Sequence, residues 1–153
     1  EAFIRLFYEP GCIAEFDWVM LKTTDIREWI ASLGIAEDEH VYMGKLDNKQ
    51  QKSIGVYSRS SSGPPNVALG GLDYTSYDVR PISLLVHWNR SKPESEAAAY
   101  ELFESIRNVS SLDIGDTHIN YICLMVPEPQ DVGTDDNGVY EYVIWLDFIY
   151  QRK

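Results

Sequence analysis

The stretch Val139-Tyr-Glu-Tyr-Val-Ile-Trp-Leu-Asp-Phe-Ile-Tyr150 alternates its side chains with a period of two, which is the spacing of a half-buried β-strand. Every second position from Tyr140 to Tyr150 holds a large apolar or aromatic side chain. Asn137-Gly138 comes directly before the strand and is a strong signal of a hairpin-type turn. We therefore predict a partner strand at 117–126, joined to 139–150 by a long turn at 127–138.

Residues 77–88 predict another strand. Its run from Pro81 to Trp88 is nearly continuous in apolar side chains, which indicates cover on both faces. Proline cannot donate to a ladder, so the start of this strand should lie at an edge or a bulge. Short strands are predicted at 40–44 and 52–58, joined by a polar loop.

Two segments have the apolar spacing of amphipathic helices. Residues 24–33 carry one apolar stripe, with Thr24 as the expected N-cap. Residues 92–108 carry a second stripe and follow Ser91-Lys-Pro-Glu94, which has the spacing of a capping box. The element order therefore predicts an α+β fold, a mainly antiparallel sheet backed by two helices.

The remaining segments define the domain organisation. A chain of 153 residues is expected to form one domain, which we place at 21–153. Residues 1–20 are expected to be an extension or arm with a hairpin at Pro10-Gly11; it either docks on a neighbouring subunit or is an artefact of the expressed sequence. Residues 59–73 are a long loop with Gly, Pro and Ser but also apolar side chains. It either touches another chain or folds back on its own domain.

Composition excludes several classes of function. The formal net charge of −11 repels phosphate, so wrapping or reading of nucleic acid is disfavoured, although DNA passing by is not. Uninterrupted apolar runs are only a few residues long, so we expect no membrane span, and residues 1–20 do not have the pattern of a signal peptide. Cys12 and Cys123 are expected to be free thiols, with a single bridge as the alternative.

No motif predicts catalysis, a metal or a cofactor. His40, His87 and His118 lack metal-ligand spacing, and we interpret His87 as a hydrogen-bonded structural residue. A nucleophile elbow and phosphate-binding glycine patterns are missing from the sequence. The segment 131–138 resembles a calcium loop but has the wrong residues at key positions, so it is better explained as a turn. We therefore expect no enzyme.

Four short motifs carry a resemblance to a known family. Together they are similar to the minor capsid or tail terminator proteins of long-tailed bacteriophages, and the similarity extends over about 21–153. The motifs are Leu69-Gly-Gly-Leu-Asp-Tyr74, Tyr77-Asp-Val-Arg-Pro-Ile82, Val126-Pro-Glu-Pro-Gln-Asp-Val-Gly133 and Asn137-Gly-Val-Tyr-Glu-Tyr142.

The resemblance implies a structural protein of the virion, at the tail and neck, which assembles in the host cytoplasm. Its members form a ring, typically a hexamer, on the last ring of the tail tube. There they stop tube polymerisation and contact the head connector or head-closure protein, while DNA passes through an acidic lumen without specific binding. No catalytic residue is implied.

On this basis we expect residues 60–72 and 127–137 to line surfaces that face neighbouring subunits or the tube, and Arg80 or Arg90 to form charged contacts between neighbours. The candidate interface residues are Pro64, Pro65, Val67, Leu69, Arg80, Pro127, Glu128, Pro129, Asp131, Asp135 and Asp136. Two alternatives stay open: another neck component, such as a head-closure or adaptor ring, and a small ligand-binding domain or enzyme with a cleft near His87.

Overall fold

The computed structural model describes residues 20–47, 49–60 and 64–152. The predicted N-terminal arm and its hairpin lie outside these residues, except for Met20. The elements in chain order are α1 (Thr23–Ser32), β1 (Val41–Met43), β2 (Ser53–Ser58), β3 (Tyr77–His87), α2 (Lys92–Arg107), β4 (Leu112–Ile114), β5 (Thr117–Leu124), β6 (Gln130–Thr134) and β7 (Tyr140–Gln151).

The strands form one sheet in the order β1-β2-β3-β7-β5-β4, and β6 also pairs with β7. β1 and β2 run parallel, whereas the other pairings between described strands are antiparallel. Two helices with a mixed sheet confirm the predicted α+β class.

β7 is an interior strand of the sheet and pairs with three other strands. Because β3 pairs with β7 along residues 141–151, β5 and β6 must share the opposite edge of β7. The prediction of one long turn at 127–138 is therefore wrong: only the bend before Gln130 and the turn at 135–139 are irregular, and Gln130–Thr134 is a strand.

Both helices pack on one face of the sheet, which we call the inner face. The inward side chains of β7 from Tyr142 to Tyr150 are buried, as the period of two requires. Trp29 of α1 packs edge-on against Phe148, with ring centroids 5.8 Å apart. The core residues contributed by the helices are Ile26, Ile30, Ala99, Leu102, Phe103 and Ile106.

The capping contacts at the helix starts differ from the prediction. α1 begins at Thr23 with Lys22 in the cap position, so Thr24 is not the N-cap; the Lys22 N–H reaches the Asp25 carboxylate at 3.4 Å. Ser91 occupies the N-cap position of α2, as predicted, but its side chain makes no capping hydrogen bond. Glu94 instead accepts a hydrogen bond from the side-chain amide of Asn89, at 2.6 Å.

The opposite side of the sheet, the outer face, is covered only in part. Over β2, Leu46 from the loop between β1 and β2 is buried against Gly55, where an added Cβ would lie 3.2 Å from the Leu46 side chain. Over β5 and β7, large side chains stay exposed, among them Tyr121, Met125 and Trp145. Cover on both faces, as predicted for residues 77–88, therefore holds for only part of the sheet.

Pro81 lies within β3, opposite Asp147 of β7. Its carbonyl accepts a hydrogen bond from the Arg59 N–H, one residue beyond the end of β2. Because the nitrogen and carbonyl of a strand residue face the same neighbour, the missing N–H of Pro81 also faces the place where β2 stops. The nitrogen of Pro81 therefore lies at a local edge of the sheet, as predicted.

Candidate interaction surfaces

The loop before β3 presents apolar side chains to solvent. Leu69 is fully exposed, and more than half of the surface of Leu72 and of Tyr74 is exposed. We call these three residues the apolar knob. Isolated exposed apolar residues are ordinary, but a contiguous group on a loop marks a contact surface.

The knob is held outward by a built turn. The buried hydroxyl of Thr75 accepts a hydrogen bond from the Ala68 N–H and donates one to the Gly71 carbonyl, each at 3.0 Å. Gly71 has a φ of +92°, a conformation that favours glycine. At Gly70 a Cβ would lie 2.5 Å from the Tyr74 ring, so glycine is needed there as well. The sequence that builds the turn thus also fixes which side chains point outward.

The predicted interface residues of this loop are open to solvent. Pro64, Pro65, Val67 and Leu69 are all exposed. A cavity of about 370 Å³, lined by residues 66–68 and 74–77, borders the knob. No observation shows what these residues contact in an assembly, so their interface role stays a prediction.

Arg80 is engaged within its own chain. One guanidinium nitrogen, Nη2, donates to the Thr23 hydroxyl at 2.8 Å and to the Ser58 hydroxyl at 2.9 Å. The side chain therefore ties the start of α1 to the ends of β2 and β3. Its predicted contact with a neighbouring copy is untested.

The segment that leads into β6, and β6 itself, contact α2. Lys92 Nζ lies 3.3 Å from Asp131 Oδ2, and the Tyr100 hydroxyl donates to Glu128 at 3.2 Å. The hydrogen bond from the Gly133 N–H, followed by the Lys92 contact, holds the pKa of Asp131 below its usual value of 3.8. The carboxylates here are thus used partly to hold the hairpin in place.

The other predicted residues of the hairpin differ in exposure. Pro127 and Glu128 are exposed, whereas Pro129 is buried and supports the bend instead of offering surface. Asp136 is exposed at the tip of the turn. Asp135 is half-buried, and its Oδ1 accepts hydrogen bonds from two backbone N–H groups, those of Asn137 and Val139, each at 2.9 Å.

Arg90, the second arginine predicted to contact a neighbour, also bonds within its own chain. Its Nε donates to the Asn137 carbonyl at 3.1 Å, and this contact holds the turn against the end of β3. Its intersubunit role is likewise untested.

These contacts explain the calcium-like pattern as turn chemistry. Asp131 and Asp135 each accept a hydrogen bond from the N–H two residues later, which is the Asx-turn arrangement. Within the described ranges, no group of three or more His, Cys, Asp or Glu side chains is arranged to hold a metal ion.

His87 is a structural residue, as predicted. Its ring is fully buried, with Nδ1 3.2 Å from Glu141 Oε2 and Nε2 3.7 Å from Asp135 Oδ2. Because the ring is fully buried, it does not itself line an open cleft. A cavity of about 470 Å³ lies beside the neighbouring Trp88 and also borders His40, and the alternative of a binding site near His87 is untested.

A Ser–His–Asp arrangement lies on the β4–β5 hairpin. His118 Nδ1 is 2.7 Å from Asp113 Oδ1, and the Ser111 hydroxyl is 3.3 Å from His118 Nε2. The side chain of Asp113 is 75% exposed and that of His118 is 42% exposed, so water screens the charges that a catalytic triad keeps buried. We interpret the three groups as a clasp between two short strands.

The two predicted surfaces lie at opposite ends of the sheet. The knob precedes the start of β3, where the Arg152 N–H donates a hydrogen bond to the Ser76 carbonyl. The acidic segment 127–137, which includes β6, lies beyond the end of β3, where the Tyr140 N–H donates to the Asn89 carbonyl. The eleven residues of β3 span roughly 35 Å between them. The molecule thus has an apolar end and an acidic end.

Sequence reasoning missed some exposed residues that now qualify as contact candidates. Leu72 and Tyr74 lie in the motif from Leu69 to Tyr74 but are not among the predicted interface residues. Trp145 lies on the outer face, and its signal is that the odd positions of β7 include the apolar Val143, Trp145 and Ile149 beside Glu141 and Asp147.

Comparisons with known proteins identify the family. Within the described residues, neither helix combines the length and hydropathy needed to cross a membrane. A search of curated proteins finds no match to the chain. The profile described as "Bacteriophage tail terminator protein" matches residues 24–152, which is most of the sequence and confirms the resemblance. The chain therefore belongs to the bacteriophage tail terminator proteins, a family of structural rather than enzymatic proteins of the phage tail.

Proposed function

We propose that copies of this chain form a ring of six at the head–tail junction, where the ring caps the tail tube and ends its polymerisation. The ring then joins the tail to the head connector, and the protein is carried in the virion after assembly in the host cytoplasm. In this proposal residues 21–153 act as one domain.

The observation that carries the proposal is the apolar knob. A turn held by Thr75 and two glycines keeps Leu69, Leu72 and Tyr74 in water, an arrangement that a monomer does not need. We assign the knob to the contact with the tube, because burial of apolar side chains is the main driving force for association.

The acidic end supports the rest of the proposal. Glu128, Asp131 and Asp136 lie at this end of the sheet, and the start of α2, which Lys92 joins to Asp131, adds Glu94 and Glu96. In a ring, a surface of this charge repels the phosphate backbone, so that DNA passes without being held. This agrees with the net charge of −11.

The test uses the tail tube protein of the phage that encodes this chain. The wild-type protein should limit the length of tubes polymerised in vitro, as seen in negative-stain micrographs. Leu69→Asp should weaken capping by about 2 kcal/mol, or about thirty-fold in the concentration required, because a leucine side chain would no longer be buried.

Met43→Asp is the matched control, since Met43 is an exposed apolar residue of β1, away from the knob. It should cap tubes as the wild type does. Wild-type protein that leaves tube length unlimited would refute the proposed function. Normal capping by Leu69→Asp would refute only the role of the knob.

A further inference from the structure

The outer face carries an open apolar surface across β5, β7 and β3. One row of side chains across the strands consists of Tyr121, Ile149 and Val79. Two rows further along β7, Met125 lies beside Trp145. Tyr121, Met125 and Trp145 are each about half exposed. The sheet therefore has a second face that is suited to packing but only partly packed.

The charges on this face are already paired. Arg59 forms an ion pair with Asp147, and its guanidinium carbon lies 5.7 Å from the centre of the Trp145 ring. The two charges neutralise one another beside the apolar rows. A segment that covers this face therefore needs apolar side chains rather than a particular net charge.

Part of the same face already has a cover. Leu46 closes the surface over β2, whereas Tyr121 of β5 and the adjacent Met125 stay about half exposed. The cover needed for the remainder is about one strand or hairpin wide, since the open rows span three strands at roughly 4.8 Å spacing.

We propose that residues 2–18 of a neighbouring copy cover this open part of the outer face. The segment 12–18 places Cys12, Ala14, Phe16 and Trp18 on one side and Glu15 and Asp17 on the other, so as a strand it offers one apolar side to the sheet. This inference rests on the proposed ring, which puts copies side by side.

The point of attachment favours a neighbour over the same chain. Leu21 is buried in the core, in the same cluster as Tyr150, an inward residue of β7. The segment therefore joins the domain on the inner side, away from the outer face of its own copy. Nineteen extended residues reach roughly 60 Å, against roughly 40 Å for the length of β7, so an adjacent copy is within reach.

The two cysteines of the chain are suitable probes. Cys12 is one of the apolar positions in the alternating sequence of 12–18, and Cys123 is an exposed residue of β5, between Tyr121 and Met125 on the outer face. A short bismaleimide added to the concentrated full-length protein should link Cys12 of one copy to Cys123 of the next. The expected products are covalent dimers and larger species, with the 12–123 link identified by mass spectrometry.

Two variants establish the direction of the link. Cys12→Ser and Cys123→Ser should each lose this 12–123 product when treated alone. A mixture of the two should regain it only as a dimer of unlike chains, because each variant supplies one of the two thiols. A 12–123 link found only within single chains, or in neither form, overturns the proposal.

Trp145→Lys tests the surface itself. It should reduce the linked species about tenfold or more, because a charge replaces the central apolar side chain. Met43→Lys is the control, since Met43 and Trp145 are 55% and 47% exposed on different parts of the sheet. Equal effects of the two variants would count against docking on the outer face.

The same samples separate this inference from the proposed function. Tubes that are capped normally while no 12–123 link forms refute only the exchange of arms. Links that form while tubes stay uncapped support the exchange and refute the capping role.

Discussion

Replacing Asp135 by alanine should destabilise the isolated domain, because this carboxylate closes the turn between β6 and β7. Its Oδ1 accepts the N–H groups of Asn137 and Val139, each at 2.9 Å, and its side chain is only 18% exposed. A hydrogen bond to a charged group contributes about 1.5–3 kcal/mol. With the lower value for a partly solvated group, two bonds give about 3 kcal/mol.

Urea unfolding followed by circular dichroism measures the effect. With an m-value of about 2 kcal/mol per molar, a loss of about 3 kcal/mol moves the midpoint down by about 1.5 M, with m unchanged. Asp135→Asn should lose less, because the amide oxygen can still accept both hydrogen bonds.

The matched control is Asp136→Ala at the next position. Asp136 is exposed, and the described part of the chain shows no hydrogen bond or ion pair to its carboxylate, so its replacement should change stability by less than about 0.5 kcal/mol. Equal midpoints for Asp135→Ala and Asp136→Ala would refute the reasoning. Both residues were predicted as interface residues, and the comparison separates a structural role from a surface one.

Three further changes test other parts of the structure. Gly70→Ala places a Cβ 2.5 Å from the Tyr74 ring, so it should cost about 1–3 kcal/mol or reshape the knob, which amide NMR shifts of 64–76 would show. Asp131→Asn should reduce the loss of folding stability at acid pH. The Gly133 N–H lowers the pKa of Asp131, so the carboxylate stabilises the fold above its usual pKa of 3.8, and this contribution is lost as pH falls through the lowered pKa. Urea unfolding between about pH 5 and pH 2 measures the difference. Tyr150→Phe should reduce the loss of folding stability at alkaline pH, since burial raises the pKa of Tyr150 above 10.0. The stability that the neutral phenol contributes is complete below pH 10.0 and is lost as pH rises through the raised pKa. Thermal unfolding at about pH 11 measures the difference.

Each of these has an outcome that counts against it. Unchanged shifts and stability in Gly70→Ala would show that the turn does not depend on that glycine. An unaltered acid limb in Asp131→Asn, or an unaltered alkaline limb in Tyr150→Phe, would mean that the named group does not titrate differently on folding.

The strongly periodic elements could be predicted closely from sequence. α2 was expected at 92–108 and is found at Lys92–Arg107, and β7 was expected at 139–150 and is found at Tyr140–Gln151. In both, one complete side is apolar and buried, so pattern and packing agree.

The weak elements could not be predicted, because their pairing depends on the backbone. Gln130–Thr134 is exposed at every position and has no alternation to detect; it is a strand because β7 offers a free edge beside it. β4 has only three residues. The polar composition of the knob loop predicted its exposure, but the contacts of Thr75 that fix its shape are tertiary.

The position of β7 in the chain has a consequence for synthesis. It is the last of the described strands to leave the ribosome, yet β3, β5 and β6 all pair with it. Until translation reaches Gln151, those strands have unpaired backbone groups at one edge and exposed apolar side chains, and both favour aggregation. A premature stop codon before β7 would therefore yield a chain for chaperones and proteases rather than a shortened but usable subunit.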